Sequence, residues 1–184
     1  MTKPIHNHGA AISGQKSEAM FRDELRNDSF TVLRYSEDFQ EYYGKKEGKK
    51  IYRDTILVKV PQSWVEDEAI GFDEKSKFII DGFLPEFDQR LELKYSKSAG
   101  TTEEKIFYDL EKIRDGVYDG KKLLYAIFGP LAEEQRIFRL FSKKVLDFDP
   151  TEERVKVILD KTPNLSKVKQ YLYWQKNLLS LKVS

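Results

Sequence analysis

The chain has no cysteine among its 184 residues and two histidines. Without thiolates it forms neither disulfides nor cysteine-ligated metal centres, and a zinc enzyme would have to be built almost entirely from carboxylates. An excess of one charge is also missing: 32 Lys and Arg stand against 31 Asp and Glu, for a formal net charge of +1. Any nucleic-acid binding must therefore come from a local basic surface and not from the field of the whole molecule. No window of about 18 uninterrupted apolar residues occurs, which excludes a long apolar spanning helix. The start, MTKPIHNHGAAISG, lacks the basic-then-apolar order of a signal peptide, so a soluble, cytoplasmic protein without a membrane partner is expected. His6 and His8 fall in that stretch, which is read as a terminal tail with no assigned role.

What is present fits a folded chain. Hydrophobic residues make up 40% of it and aromatics 13%, with 12 Phe and 10 Tyr available for a core. The length predicts a single domain over 1–184.

Periodicity sets the coarse map. Ala19, Met20, Phe21 and Leu25 recur at helical spacing and predict a helix over Ser13–Arg26, with Glu18 on the face of Phe21 and Leu25 and therefore turned inward. FTVLRY (Phe30–Tyr35) predicts a strand. The alternation of Ile56, Val58 and Val60 predicts a second, over Ile51–Val60, stopped by Pro61. Further strands are expected at Phe78–Ile80, Arg90–Tyr95, Leu123–Phe128 and Val155–Leu159. Helices are expected over 102–115, ended by Gly116, over Ala132–Val145, and from Ser166 onward. Thr101 and Glu104 have the spacing of a capping box at the start of the first of these.

The chemistry concentrates in IIDGFLPEFDQRLELK, Ile79 to Lys94. Strand side chains alternate faces, so Glu92 and Lys94 share one face while Leu91 and Leu93 point the other way, into a core. If the runs around Asp81 and Glu92 pair as an antiparallel arm, two carboxylates come together and can hold a hard divalent cation. Gly82 and Pro85 favour a bent or bulged connection over a two-residue turn.

In order, the chain offers a helix with an inward Glu, a strand ending in Asp, a strand carrying Glu-x-Lys, then helix, strand and helix. This resembles the PD-(D/E)XK nuclease superfamily, whose members include type II restriction endonucleases. The match is closest from Phe78 to Pro130, and ELKYSKSAGTTEEKIFYDLEKI looks like the segment after the catalytic strand in several restriction enzymes. The resemblance implies an α/β (α+β) fold with a mixed four- or five-stranded sheet flanked by helices. It implies Asp81 and Glu92 as metal ligands for Mg²⁺, Lys94 as the lysine that orients or activates the attacking water, and Glu18 as an added acidic catalytic residue. Ile80 stands where the family's name has proline.

The implied activity is a Mg²⁺-dependent DNA endonuclease, a type II restriction enzyme needing no organic cofactor. Double-stranded DNA is the expected partner, with a homodimer because cutting both strands of a symmetric site requires two centres related by a twofold axis. Lys97, Ser98, Thr101, Thr102 and Lys105, beside the site and at a helix N-terminus, are the expected DNA-binding residues, with the lysines at 45, 46, 49 and 50 as further phosphate contacts. The stretch from Lys161 carries Lys161, Lys167, Lys169, Lys176 and Lys182 and no acidic residue, which suits either phosphate binding or an ordinary amphipathic helix. Two other readings stand beside restriction: a repair or recombination nuclease, such as a junction resolvase or nickase, and a noncatalytic DNA-binding module.

Overall fold

The structure, a computed structural model, describes residues 8–34, 54–61, 79–97, 101–118 and 121–183. Side chains are described for these residues except 8–17, 34, 60, 61, 79, 101–104, 182 and 183. The lysines at 45–50, Ser98, His6 and the capping-box side chains of Thr101 and Glu104 lie outside the described set.

Among the described residues six strands form one mixed sheet in chain order: β1 (Thr31–Arg34), β2 (Thr55–Pro61), β3 (Ile79–Leu84), β4 (Gln89–Tyr95), β5 (Lys122–Phe128) and β6 (Val155–Asp160). β2, β3 and β4 form an antiparallel meander, while β1 pairs parallel to β2 and the β4-β5-β6 ladder is parallel throughout. The expected four or five strands are thus corrected to six, because both flanking runs, β1 and β6, hydrogen-bond into the same sheet. Among the described residues four helices cover it: α1 (His8–Asn27), α2 (Thr101–Arg114), α3 (Arg136–Phe148) and α4 (Ser166–Val183).

The helices divide between two cores. Phe21 and Leu25 of α1 and Val168 and Leu172 of α4 pack with Ile56, Val58, Leu91, Leu124 and Phe128. Ile106, Leu110 and Ile113 of α2 and Phe138, Phe141 and Val145 of α3 pack with Leu123, Tyr125 and Ile127. β5 supplies both cores, and every residue from Leu123 to Phe128 is buried, as expected of a central strand with parallel neighbours on each side.

Local chemistry explains the element ends. α2 stops at Arg114 because Gly116 takes φ 77, letting Val117 N–H donate to Lys112 O at 2.9 Å and Gly116 N–H to Ile113 O at 3.4 Å. That pair of bonds is a Schellman ending, available at low cost only to a residue that tolerates the left-handed region. α1 begins at His8, earlier than the Ser13 expected, and α3 begins at Arg136 rather than Ala132, since the intervening residues form tight turns such as Ala132 N–H to Gly129 O. β3 does not end at Asp81 but runs on to Leu84, and the connection to β4 is a single 3₁₀ turn, Pro85–Phe87, closed by Asp88 at φ 50. Gly82 makes the continuation feasible: a Cβ there would stand 3.1 Å from Leu57 O and 3.2 Å from Leu91 Cδ2.

The C-terminal helix follows the amphipathic reading. Val168 and Leu172 of its apolar stripe are buried, and three of its lysines pair with carboxylates from elsewhere in the fold: Lys167 with Glu133 at 2.9 Å, Lys169 with Glu24 at 3.1 Å, and Lys176 with Asp54. Among the described residues, no helix is long and apolar enough to cross a membrane.

Candidate active site

The β3–β4 register pairs Gly82 with Leu91, Phe83 with Arg90 and Leu84 with Gln89, and one further step sets Asp81 across from Glu92. Asp81 is fastened there by its own side chain, whose Oδ2 accepts the Leu93 N–H at 2.9 Å. Leu91 and Leu93 pack into the α1/α4 core, so Glu92 and Lys94 emerge on the α2 side, as the alternation requires. A carboxylate pair and an ammonium therefore share one face of one hairpin.

α2 adds a residue that the sequence reading missed. Asp109, 3% exposed, receives Lys94 Nζ at 3.1 Å and the Tyr125 hydroxyl at 2.5 Å on Oδ2, and Lys112 Nζ at 3.2 Å on Oδ1. Both of its oxygens are engaged by donors, so it orients and neutralises its neighbours rather than standing open to a cation. Only its i, i+3 spacing to Lys112 and to Ile106 was visible beforehand; the contact with Lys94 depends on how α2 lies on the sheet.

Glu92 is in the opposite condition. It is 6% exposed, its nearest cation is Lys94 at 3.7 Å, and its Oε1 has no hydrogen-bond partner among the described residues. Burial, then the charge of Asp81, pushes its carboxyl up to about 8, which the nearby Lys94 opposes without cancelling. For Lys94 burial works against the charge, but Glu92, Asp109 and Asp81 together outweigh it and hold the ammonium above its ordinary pKa. Asp109 stays below the usual carboxylate value: burial would raise it, but Lys94, the Tyr125 hydroxyl and Lys112 prevail. Arg90, fully buried on the same face two residues before Glu92, lies 5.9 Å from the Tyr118 ring centroid, and burial lowers it to about 10.

Glu18 arrives from α1 through an intermediary. Its Oε1 accepts Lys59 Nζ at 2.7 Å, and the same ammonium stands 3.6 Å from Asp81 Oδ1. Lys59 adopts φ 59, a left-handed backbone inside β2, and the register of the pairs on either side of it, Val58 with Gly82 and Val60 with Ile80, sets it across from Asp81. For a side chain like lysine this conformation costs about 1–2 kcal/mol, which the surrounding sheet must hold in place.

Among the described residues there is no group of three or more His, Asp or Glu placed to hold a metal ion. Two carboxylates suffice for Mg²⁺, which keeps several waters and takes further oxygens from a phosphate. The orphaned Glu92 Oε1, on the residue across the ladder from Asp81, is the kind of buried acceptor that such an ion satisfies. Of the expected DNA contacts, Lys97 and Lys105 are exposed just before and within the first turns of α2, Thr101 and Thr102 open that helix, and Ser98 lies outside the described residues. A groove of about 940 Å³ between β6 and α4, lined by Ile158, Tyr171, Trp174 and Leu178 among others, contains none of the candidate residues.

No family model matches the chain, and no curated protein or solved structure matches it either. The site therefore stands on its own geometry.

Proposed function

We propose that the protein is a Mg²⁺-dependent endonuclease of double-stranded DNA with a PD-(D/E)XK-like site, acting as a type II restriction enzyme in dimeric form. The reading is carried by one observation: Glu92 is buried with a free oxygen across from Asp81, with the Lys94 ammonium on the same face. Burying a carboxyl without a partner is costly, and a cation shared with Asp81 is the simplest compensation. The order of α1, the β2-β3-β4 meander, α2 and β5 also suits the restriction-endonuclease-like core.

In this reading Asp81 and Glu92 hold the ion. When bound, Mg²⁺ supplies charge stabilisation at the nonbridging phosphate oxygens and makes an attacking water more acidic. Lys94, held on the same face, would orient the attacking water or a phosphate oxygen by hydrogen bonding or, with its pKa lowered by the bound cation, accept a proton from that water. Asp109, assisted by Tyr125, fixes where that ammonium sits. Lys97 and Lys105, both exposed, are the proposed contacts to the DNA backbone, with the N-terminus of α2 adding backbone N–H groups.

The test is incubation of the pure protein with supercoiled plasmid and phage DNA, with Mg²⁺ and with EDTA. Discrete Mg²⁺-dependent fragments support restriction; open circles indicate a nickase, and a smear a nonspecific nuclease. Glu92→Ala should abolish cleavage while the protein stays folded and still binds DNA. Cleavage by Glu92→Ala at the wild-type rate would overturn the site assignment, and DNA binding with no cleavage under any metal would favour the noncatalytic module.

A further inference from the structure

Lys59 stands across from Asp81 in the β2–β3 register and combines three features. Its backbone is left-handed, its ammonium lies between two carboxylates from different elements, and those carboxylates, Glu18 and Asp81, are two of the acidic groups at the site. An extended backbone would have completed the ladder between Val58 and Val60. The strained one instead accompanies an Nζ within 2.7 Å of Glu18 and 3.6 Å of Asp81. On the other side of Asp81, the buried Glu92 Oε1 has no donor among the described residues. Asp81 thus has a resident cation on one flank and a bare acceptor on the other.

We propose that Lys59 is a tethered cation filling the space between Glu18 and Asp81, so that the site takes one divalent ion, on the Asp81–Glu92 side, and Glu18 is a positioning residue rather than a metal ligand. The inference rests on the metal-dependent reading above and sharpens it. An ammonium between two carboxylates neutralises the charge that a second ion would neutralise, without needing to be loaded from solution. It also fixes Glu18, which would otherwise be a half-buried, unneutralised acid on α1.

Mn²⁺ titration followed by calorimetry and by the EPR signal of free Mn²⁺ tests this without reference to cleavage. Glycine tolerates the left-handed backbone at this position, so Lys59→Gly removes the ammonium while relieving the strain, and circular dichroism checks that each variant is folded. Wild type should bind one ion, Lys59→Gly two, Lys59→Arg one, and Lys59→Gly combined with Glu18→Gln one again. Two ions in the wild type, one ion in both the wild type and Lys59→Gly, or no bound ion in either would overturn the proposal. No ion in the wild type but one, dependent on Glu18, in Lys59→Gly would support the tethered cation and reject Asp81–Glu92 as a native metal site. The expected ion counts without DNA cleavage would leave the proposal standing and remove the nuclease reading alone.

Discussion

Lys94 Nζ lies nearer to Asp109, at 3.1 Å, than to Glu92, at 3.7 Å. The lysine of the Glu-x-Lys pair is therefore anchored by a helix that follows it in sequence, and the anchor also takes the Tyr125 hydroxyl and Lys112. Asp109→Ala removes the carboxylate that joins Lys94, Tyr125 and Lys112 in a buried cluster and should destabilise the fold by about 3–5 kcal/mol in urea denaturation. Asp109→Asn keeps the shape and one acceptor and should cost about 1–3 kcal/mol. If Lys94 works through this anchor, Asp109→Asn should slow cleavage strongly in the wild-type background and hardly at all on top of Lys94→Ala. Additive losses in that cycle would make Asp109 a stability residue only.

Glu92 predicts how stability changes with pH. In the unfolded chain its carboxyl ionises near the ordinary value, and in the folded protein near 8. Between those two points the native state keeps a proton that the unfolded state has lost, so stability falls as pH rises, by about 1.4 kcal/mol per unit from this group. Below the ordinary carboxylate value and above 8 the contribution is flat. Urea titrations at about pH 5 and about pH 8 should show the decline in wild type and its loss in Glu92→Gln. Mg²⁺ competes with that proton, so it should stabilise the wild type more at the higher pH and leave Glu92→Gln unchanged. An equal Mg²⁺ effect on both proteins would place the ion elsewhere.

The hairpin half of the site is legible in the sequence because its geometry is local. Alternation alone places Glu92 and Lys94 opposite Leu91 and Leu93, and a strand pairing of a few residues brings in Asp81. β3 runs past Asp81 although Asp-Gly followed by Pro85 has the form of a turn, because Gly82 serves the close approach of Leu57 and Leu91. Lys59, Asp109 and Tyr125 are not legible in this way. Each reaches the site from a separate element, and nothing in a lone Lys on β2, an Asp beside the apolar stripe of α2 or a Tyr in an apolar run marks it as converging there. Glu18 is legible as inward-facing, but its contact with Lys59 depends on a left-handed residue that no strand pattern announces.

Gly82 yields a simple packing prediction. Alanine at this position places its Cβ at 3.1 Å from a backbone oxygen of β2 and 3.2 Å from a Leu91 methyl, and the backbone atom cannot move without shifting the ladder. Gly82→Ala should cost about 1–3 kcal/mol in urea denaturation. Because Gly82 adjoins Asp81, Mn²⁺ affinity should weaken in the same variant, and a fold-neutral Gly82→Ala would show that β3 has more room than its neighbours imply.

Asp160 separates a structural carboxylate from the site's own. It is fully buried at the end of β6; its Oδ1 accepts the Thr162 N–H at 2.9 Å and the Thr162 hydroxyl, while Oδ2 accepts the N–H groups of Lys167 at 2.8 Å and Val168 at 3.1 Å. Those two amides belong to the first turn of α4, so Asp160 caps a helix from a neighbouring strand and complements its positive end. Asp160→Ala leaves buried donors unsatisfied and should cost about 2–3 kcal/mol, with faster hydrogen exchange at the Lys167 and Val168 amides. Asp160→Asn retains one acceptor oxygen and should lose less. Neither variant should change the number of Mn²⁺ ions bound, because every oxygen lone pair that Asp160 directs inward is already committed to a donor, whereas Glu92 has one that is not.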